Sequence, residues 1–257
     1  MRGLSGRTAV LVVALSLLFS AAAVSAGCGR SIPVLSYDSS PGNVVAELKS
    51  FGGLVPQWAD EVPDLRLYGD GKVVRKDGSG RLLVEGRLDE EQVKDLLEKI
   101  GDTGFFNLKA SYFDRRVMDG ATTEVSVNLT GEKKKVDVYM MKVKPFNETV
   151  GLLMDYPLGG QKTYVPDRGY LVVTEREEAS PDTAGAPPEI AALLPDGATL
   201  LQAADGRKPI EIPGEAFAKI AEYDSKQQYS GTRVTVDGRH LTVSPVYQPG
   251  SINQTIP

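Results

Sequence analysis

The chain has 257 residues, 25% of them charged, with 29 basic against 34 acidic side chains and a net charge of −5. This acidic balance excludes the basic stripe that nucleic acid demands, and it argues equally against a polybasic membrane patch. One histidine and one cysteine exclude every motif that needs two of either, including the usual zinc proteases and internal disulfides.

The first predicted element is a leader. Met1 to Arg7 is short and positive, Thr8 to Ala23 is uncharged and mostly apolar, and Val24-Ser25-Ala26-Gly27 ends it in small residues directly before Cys28. A positive segment, an apolar segment and a small-residue cleavage region make a secretory signal peptide over residues 1–27. Ser25-Ala26-Gly27-Cys28 resembles the lipobox of bacterial lipoproteins, in which the cysteine thiol takes a diacylglyceryl group; Ser25 stands where that pattern has an aliphatic residue. The resemblance implies lipidation of Cys28 and residence on the outer face of the bacterial cell membrane. Two other readings stay open. Cleavage after Ala26 would give ordinary secretion, and an uncleaved segment would anchor the chain. The apolar run is at the lower edge of the roughly 20 residues a span needs. A lone cysteine in an exported protein calls for an explanation, and its place after the small residues supplies one.

Residues 28–43 are rich in Ser, Pro and Gly and read as a flexible tether. Val44 to Phe51 is the first strand, followed by a Gly/Pro loop that holds Trp58, a side chain more simply read as packing on a hairpin edge than as a partner anchor. Strands then alternate over Asp64–Tyr68, Lys72–Lys76 and Arg81–Leu88, with Gly69-Asp70-Gly71 and Asp77-Gly78-Ser79-Gly80 as turns. A helix runs over Asp89–Ile100. Asp89 with Gln92 resembles a capping box, Val93, Leu96, Leu97 and Ile100 share one face, and Gly101 is the expected stop. Phe105, Phe106 and Leu108 are expected to continue into the same core.

Thr122–Thr130 and Val136–Met140 form a hairpin with Lys133-Lys134-Lys135 beside its tip. A shorter helix spans Asn147–Tyr156 with Val150, Leu153 and Met154 inward, and Tyr170–Val173 closes this part as a strand. Residues 176–188 read as a linker or long loop. A smaller unit over 189–247 holds the apolar stretch Ile190–Leu194, a helix near Glu215–Tyr223 and a hairpin turning at Asp237-Gly238, before a loose tail over 248–257. The fold class is therefore α+β: an antiparallel sheet with hairpins packed by one or two helices over 44–175, plus a smaller α+β C-terminal unit.

Catalytic chemistry finds few candidates. A two-residue turn at Asp237-Gly238 pairs Thr235 with His240 and places His240 on the solvent face beside Arg233 and Thr242, with no nucleophile to serve. The glycine turns lie between strands rather than before helices, so they are not phosphate cradles. Acid pairs such as Asp60/Glu61 and Glu177/Glu178 lie in loops whose separation nothing fixes, and the loop 77–80 lacks the alternating oxygen ligands of an EF-hand. Three glycosylation sequons begin at Asn128, Asn147 and Asn253 and matter only in a eukaryote. No catalytic, cofactor-binding or metal-binding residue is expected, and no cofactor.

Residues 44–110, with Gly52-Gly53-Leu54-Val55-Pro56, then Leu65 to Val74 and the capped helix from Asp89, resemble uncharacterised exported proteins of actinobacteria and related bacteria. That resemblance implies an α+β domain and an envelope location, and brings no activity with it. The expected function is a non-catalytic envelope lipoprotein, tethered to the membrane through the lipid on Cys28 and binding or supporting another envelope component. The alternatives are a carboxylate-based extracytoplasmic hydrolase and a solute-binding lipoprotein.

Overall fold

The computed structural model describes residues 35–53, 62–176, 185–227 and 231–247. Among them are twelve strands and five α-helices in an α+β arrangement, with a mixed eight-stranded sheet and an antiparallel four-stranded sheet. Cys28, Trp58, the acid pairs at 60–61 and 177–178, and the tail over 248–257 lie outside the described residues.

In the larger sheet the chain runs through β1 (Val44–Gly52), β2 (Leu65–Tyr68), β3 (Lys72–Lys76) and β4 (Leu83–Arg87), then α1 (Glu90–Asp102). It continues through β5 (Ser111–Phe113), β6 (Ala121–Leu129), β7 (Glu132–Tyr139), α2 (Lys144–Asp155) and β8 (Gly159–Thr163). The spatial order is β5-β7-β6-β1-β2-β3-β4-β8, antiparallel except where β5 runs parallel to β7. The second sheet, ordered β10-β9-β12-β11, is made by β9 (Arg168–Arg176), β10 (Ile210–Pro213), β11 (Thr232–Val236) and β12 (Arg239–Val246). Three helices go with it, α3 (Pro188–Ala191), α4 (Gly197–Gly206) and α5 (Gly214–Ser225).

Local chemistry explains α1. The Asp89 carboxylate accepts from the Gln92 backbone N–H at 2.8 Å, and the Gln92 side-chain oxygen accepts from the Asp89 N–H at 2.9 Å, so two end donors are satisfied reciprocally. Val93, Leu96, Leu97 and Ile100 are all buried on one face. The helix runs past Gly101, and the left-handed turn falls on Gly104 instead, where φ is +85°. Phe105 and Phe106, in the one-turn 3₁₀ segment that follows, close over the same core. Helix α2 starts three residues earlier than the apolar spacing suggests. Pro145 occupies its first turn, where the missing N–H costs nothing, and Phe146 is drawn into the core. Of the residues expected inward, Leu153 is buried, whereas Val150 and Met154 are half-buried.

The lysine run lies just past the hairpin tip, inside the strand rather than in the turn. The turn is at Thr130-Gly131, with φ +83° at the glycine, and Lys133, Lys134 and Lys135 pair within β7 against Asn128, Val127 and Ser126. The strand expected to close the first part, β9, joins the second sheet, pairing with β10 on one side and β12 on the other. In the C-terminal part the hairpin register is the expected one, Val236 against Arg239, Thr235 against His240 and Val234 against Leu241.

Two buried clusters hold the chain together. One joins Leu48, Leu65, Leu67, Val73, Val125 and Val127 of the large sheet to Leu96, Leu97, Ile100, Phe146 and Leu153 of α1 and α2. The other joins Leu171, Val173, Leu241 and Val243 of the small sheet to Phe217 and Ile220 of α5, and also takes in Tyr68, Val74 and Leu83 from β2, β3 and β4. Neighbouring residues of a strand point to opposite faces, so Leu67 and Tyr68, or Val73 and Val74, serve different clusters. The Tyr247 hydroxyl accepts from the Leu83 N–H at 3.1 Å and ties the end of β12 to the start of β4.

Candidate functional site

Among the described residues one concavity is a cleft of about 870 Å³ where β3, β4 and β8 meet the start of α1. Its floor is set by a tight turn. Asp70 Oδ1 accepts from the Lys72 N–H at 3.1 Å, and Gly71 has φ +81°, a conformation that favours glycine. A Cβ on Gly71 would also lie 2.0 Å from the Leu88 carbonyl oxygen, so the turn packs directly on the residue that leads into α1.

Three strands bring charge to the cleft. Glu85 of β4 lies between two lysines, 2.8 Å from Lys162 Nζ on β8 and 3.6 Å from Lys72 Nζ on β3. The Lys162 ammonium is held above its usual range by its hydrogen bond to Glu85. Arg87, at the end of β4, donates to the Asp70 carboxylate at 2.9 Å and to the Asp70 carbonyl at 3.0 Å. The Lys72 ammonium also sits 5.4 Å from the Tyr164 ring centroid. Asp89 and Gln92 are engaged with each other in the helix cap. Every carboxylate lining this cleft therefore has a partner, and the arrangement suits a polar group of mixed charge better than proton transfer.

A second groove, about 850 Å³, runs between α1 and α2 and is lined by Asp102, Glu148 and Asp155 together with Lys99 and Tyr156. The Tyr156 hydroxyl donates to Asp95 at 2.7 Å, and burial together with that carboxylate pushes it up to about 12. The same phenol would be a poor proton donor at neutral pH. Arg75 of β3 closes the end of α2, donating to the Met154 carbonyl at 2.5 Å and the Tyr156 carbonyl at 3.0 Å, where a cation meets the negative end of the helix.

His240 is half-buried on β12, with Nδ1 3.2 Å from Thr235 Oγ1. The turn at Asp77 is closed by its own backbone and by Ser79, whose hydroxyl donates to Asp77 Oδ1 at 2.6 Å. Among the described residues no group of three or more His, Cys, Asp or Glu side chains could hold a metal ion, and no helix is long and apolar enough to cross a membrane. The cleft residues Lys72, Glu85 and Lys162 escaped sequence reasoning. Strand β8, Gly-Gly-Gln-Lys-Thr, is almost wholly exposed and has no apolar alternation to announce it.

No protein-family model matches the chain, and no curated protein or solved structure is significantly similar to it.

Proposed function

We propose that the protein is an exported lipoprotein, held on the outer face of a bacterial membrane through Cys28, whose folded part binds another envelope component without catalysing a reaction. The observation that carries this reading is the position of the only cysteine, immediately after the small residues that end a signal-peptide pattern. Two features support it. The folded part contains no cysteine and rests on its two buried clusters, as an ectodomain without disulfides must. The acids of the cleft between β3, β4, β8 and α1 are engaged by Lys72, Lys162, Arg87 and the α1 cap, which favours binding over acid–base chemistry. Diacylation would supply a firm hold, because each buried methylene contributes about 0.8 kcal/mol.

Intact-mass measurement of the protein purified from membranes tests the reading. The expected result is a mature chain beginning at Cys28 with added acyl mass, and release of the Cys28→Ala chain from the membrane fraction. A mature N-terminus at Gly27 without lipid would reject the tether and leave ordinary secretion.

A further inference from the structure

One end of the large sheet carries an apolar and basic surface that no function above uses. Edge strand β5, the turn after it and the end of β7 are knit together around Tyr139. The Tyr139 ring stacks on Phe113 at 4.5 Å and 15°. Its hydroxyl donates to the Val117 carbonyl at 3.0 Å and accepts from the Gly120 N–H at 2.9 Å. Around this anchor four large apolar side chains face solvent: Phe113 at 58% exposure, Met118 at 84%, and Met140 and Met141 beside them. Met140 has φ +52°, unusual for a bulky residue, and its side chain lies so close to Gly120 that a Cβ there would be 2.4 Å from Met140 Cγ. The backbone is thus held in an uncommon conformation that leaves Met140 on the outside.

Basic side chains border this surface. Arg115 and Arg116 come from the turn, Lys142 and Lys144 from the segment after Met141. Arg116 is taken up by Asp114, whose carboxyl it holds down at about 2. Arg115 and Lys142 are exposed and make no ion pair among the described residues. Lys144 lies 3.8 Å from Glu148, and Asp119 is an exposed acid of the same turn, so the unpaired charge at this end is Arg115 and Lys142 against Asp119. The two basic segments are brought together by the pairing of β5 with β7.

We propose that this end of the sheet is a second membrane contact, in which Phe113, Met118, Met140 and Met141 enter the interfacial layer of an anionic bilayer while Arg115 and Lys142 meet lipid phosphates. Charge complementarity favours a bilayer, since protruding apolar tips flanked by two unpaired cations, with one acid between them, suit an anionic interface. A strand-pairing partner fits less well, because β5 offers only three residues of edge. Counting this contact as a second one rests on the tether reading; the described chain begins beside the opposite end of β6, where the Thr130 N–H donates to the Ser36 carbonyl.

The test uses the mature chain from residue 28 carrying Cys28→Ala, so that neither the leader nor an acyl group contributes, in cosedimentation with vesicles of phosphatidylcholine alone or with about one-third phosphatidylglycerol. Binding is expected to be stronger on the anionic vesicles, to fall about fivefold with each of Arg115→Gln and Lys142→Gln, and to fall further with Met118→Asp. All three positions are exposed, and far-UV circular dichroism checks that the fold is retained. Equal binding of parent and variants, equal binding to both vesicle types, or a dimer abolished by Met118→Asp would overturn the proposal. Absence of acyl mass on the mature protein would reject the tether alone and leave the vesicle result standing.

Discussion

The two sheets are built by different means. In the large sheet, β1 to β4 run in neighbouring order, β2 and β3 joined by the turn Gly69-Asp70-Gly71, and α1 carries both a capping box and a single apolar face. In the small sheet, β9 pairs with strands from far along the chain, β10 and β12, and α5 begins after Pro213 with no side-chain cap. Its helix is placed by packing. Phe217 is fully buried against Tyr247 at 4.6 Å, and a Cβ on Gly169 would fall 2.1 Å from the Phe217 ring. Local signals specify β2–β3, β3–β4 and α1 in the first region, whereas α5 and the pairings of β9 in the second rest on distant contacts.

The sharpest challenge to that contrast is Phe217→Ala. Loss of the ring is expected to cost about 3–5 kcal/mol. Because Tyr68, Val74 and Leu83 share the second cluster, amide exchange in β2, β3 and β4 should accelerate along with that in β9 and β12. If protection in β2–β4 were unchanged, the two regions would be unfolding independently. A smaller effect is expected from Tyr247→Phe, which leaves the buried Leu83 N–H without its acceptor at a cost of about 1–3 kcal/mol. Chemical denaturation of the variant would measure it, and a change well below 1 kcal/mol would mean that this link between the regions is weak.

The smallest effect belongs to Asp224 on α5, only 4% exposed, whose carboxyl is raised by burial although the Gly231 N–H donates to it at 2.5 Å. A raised folded-state value makes its contribution to stability fullest below the unfolded value near 3.8 and progressively lost as pH rises through the folded value. Asp224→Asn keeps an acceptor for Gly231 and removes the buried charge. The variant should therefore melt above the parent at neutral pH, with the gap narrowing toward about pH 3. A variant that melts below the parent at neutral pH would show that Gly231 and Arg81 favour the charged form more than burial opposes it.

The same contrast explains how much of the molecule was legible in its sequence. Helix α1 announced itself through Asp89, Gln92 and its four buried apolar residues, and the β11–β12 register followed from Asp237-Gly238. Strand β8 and helix α4 did not. The former is exposed along nearly its whole length, and the latter buries only Leu200 and Ala203, too few for a periodic stripe. The partner of β9 could not be read either, because its alternation tells which face is buried and not which strand lies alongside. For the cleft, each of Lys72, Glu85 and Lys162 is an unremarkable strand residue until three strands align. The basic border of the Met/Phe surface was hidden in the same way.

The double-faced strands β2 to β4 also have a consequence for how this chain can change. A one-residue slip of β3 against β2 would move Lys72 to the place where Val73 enters the first cluster, putting a charged side chain at a buried apolar position. Length changes in the Gly69–Gly71 turn that shift this register therefore carry a cost. The loops at Asp77–Gly80 and Asp114–Gly120 face solvent for most of their length and carry no such penalty.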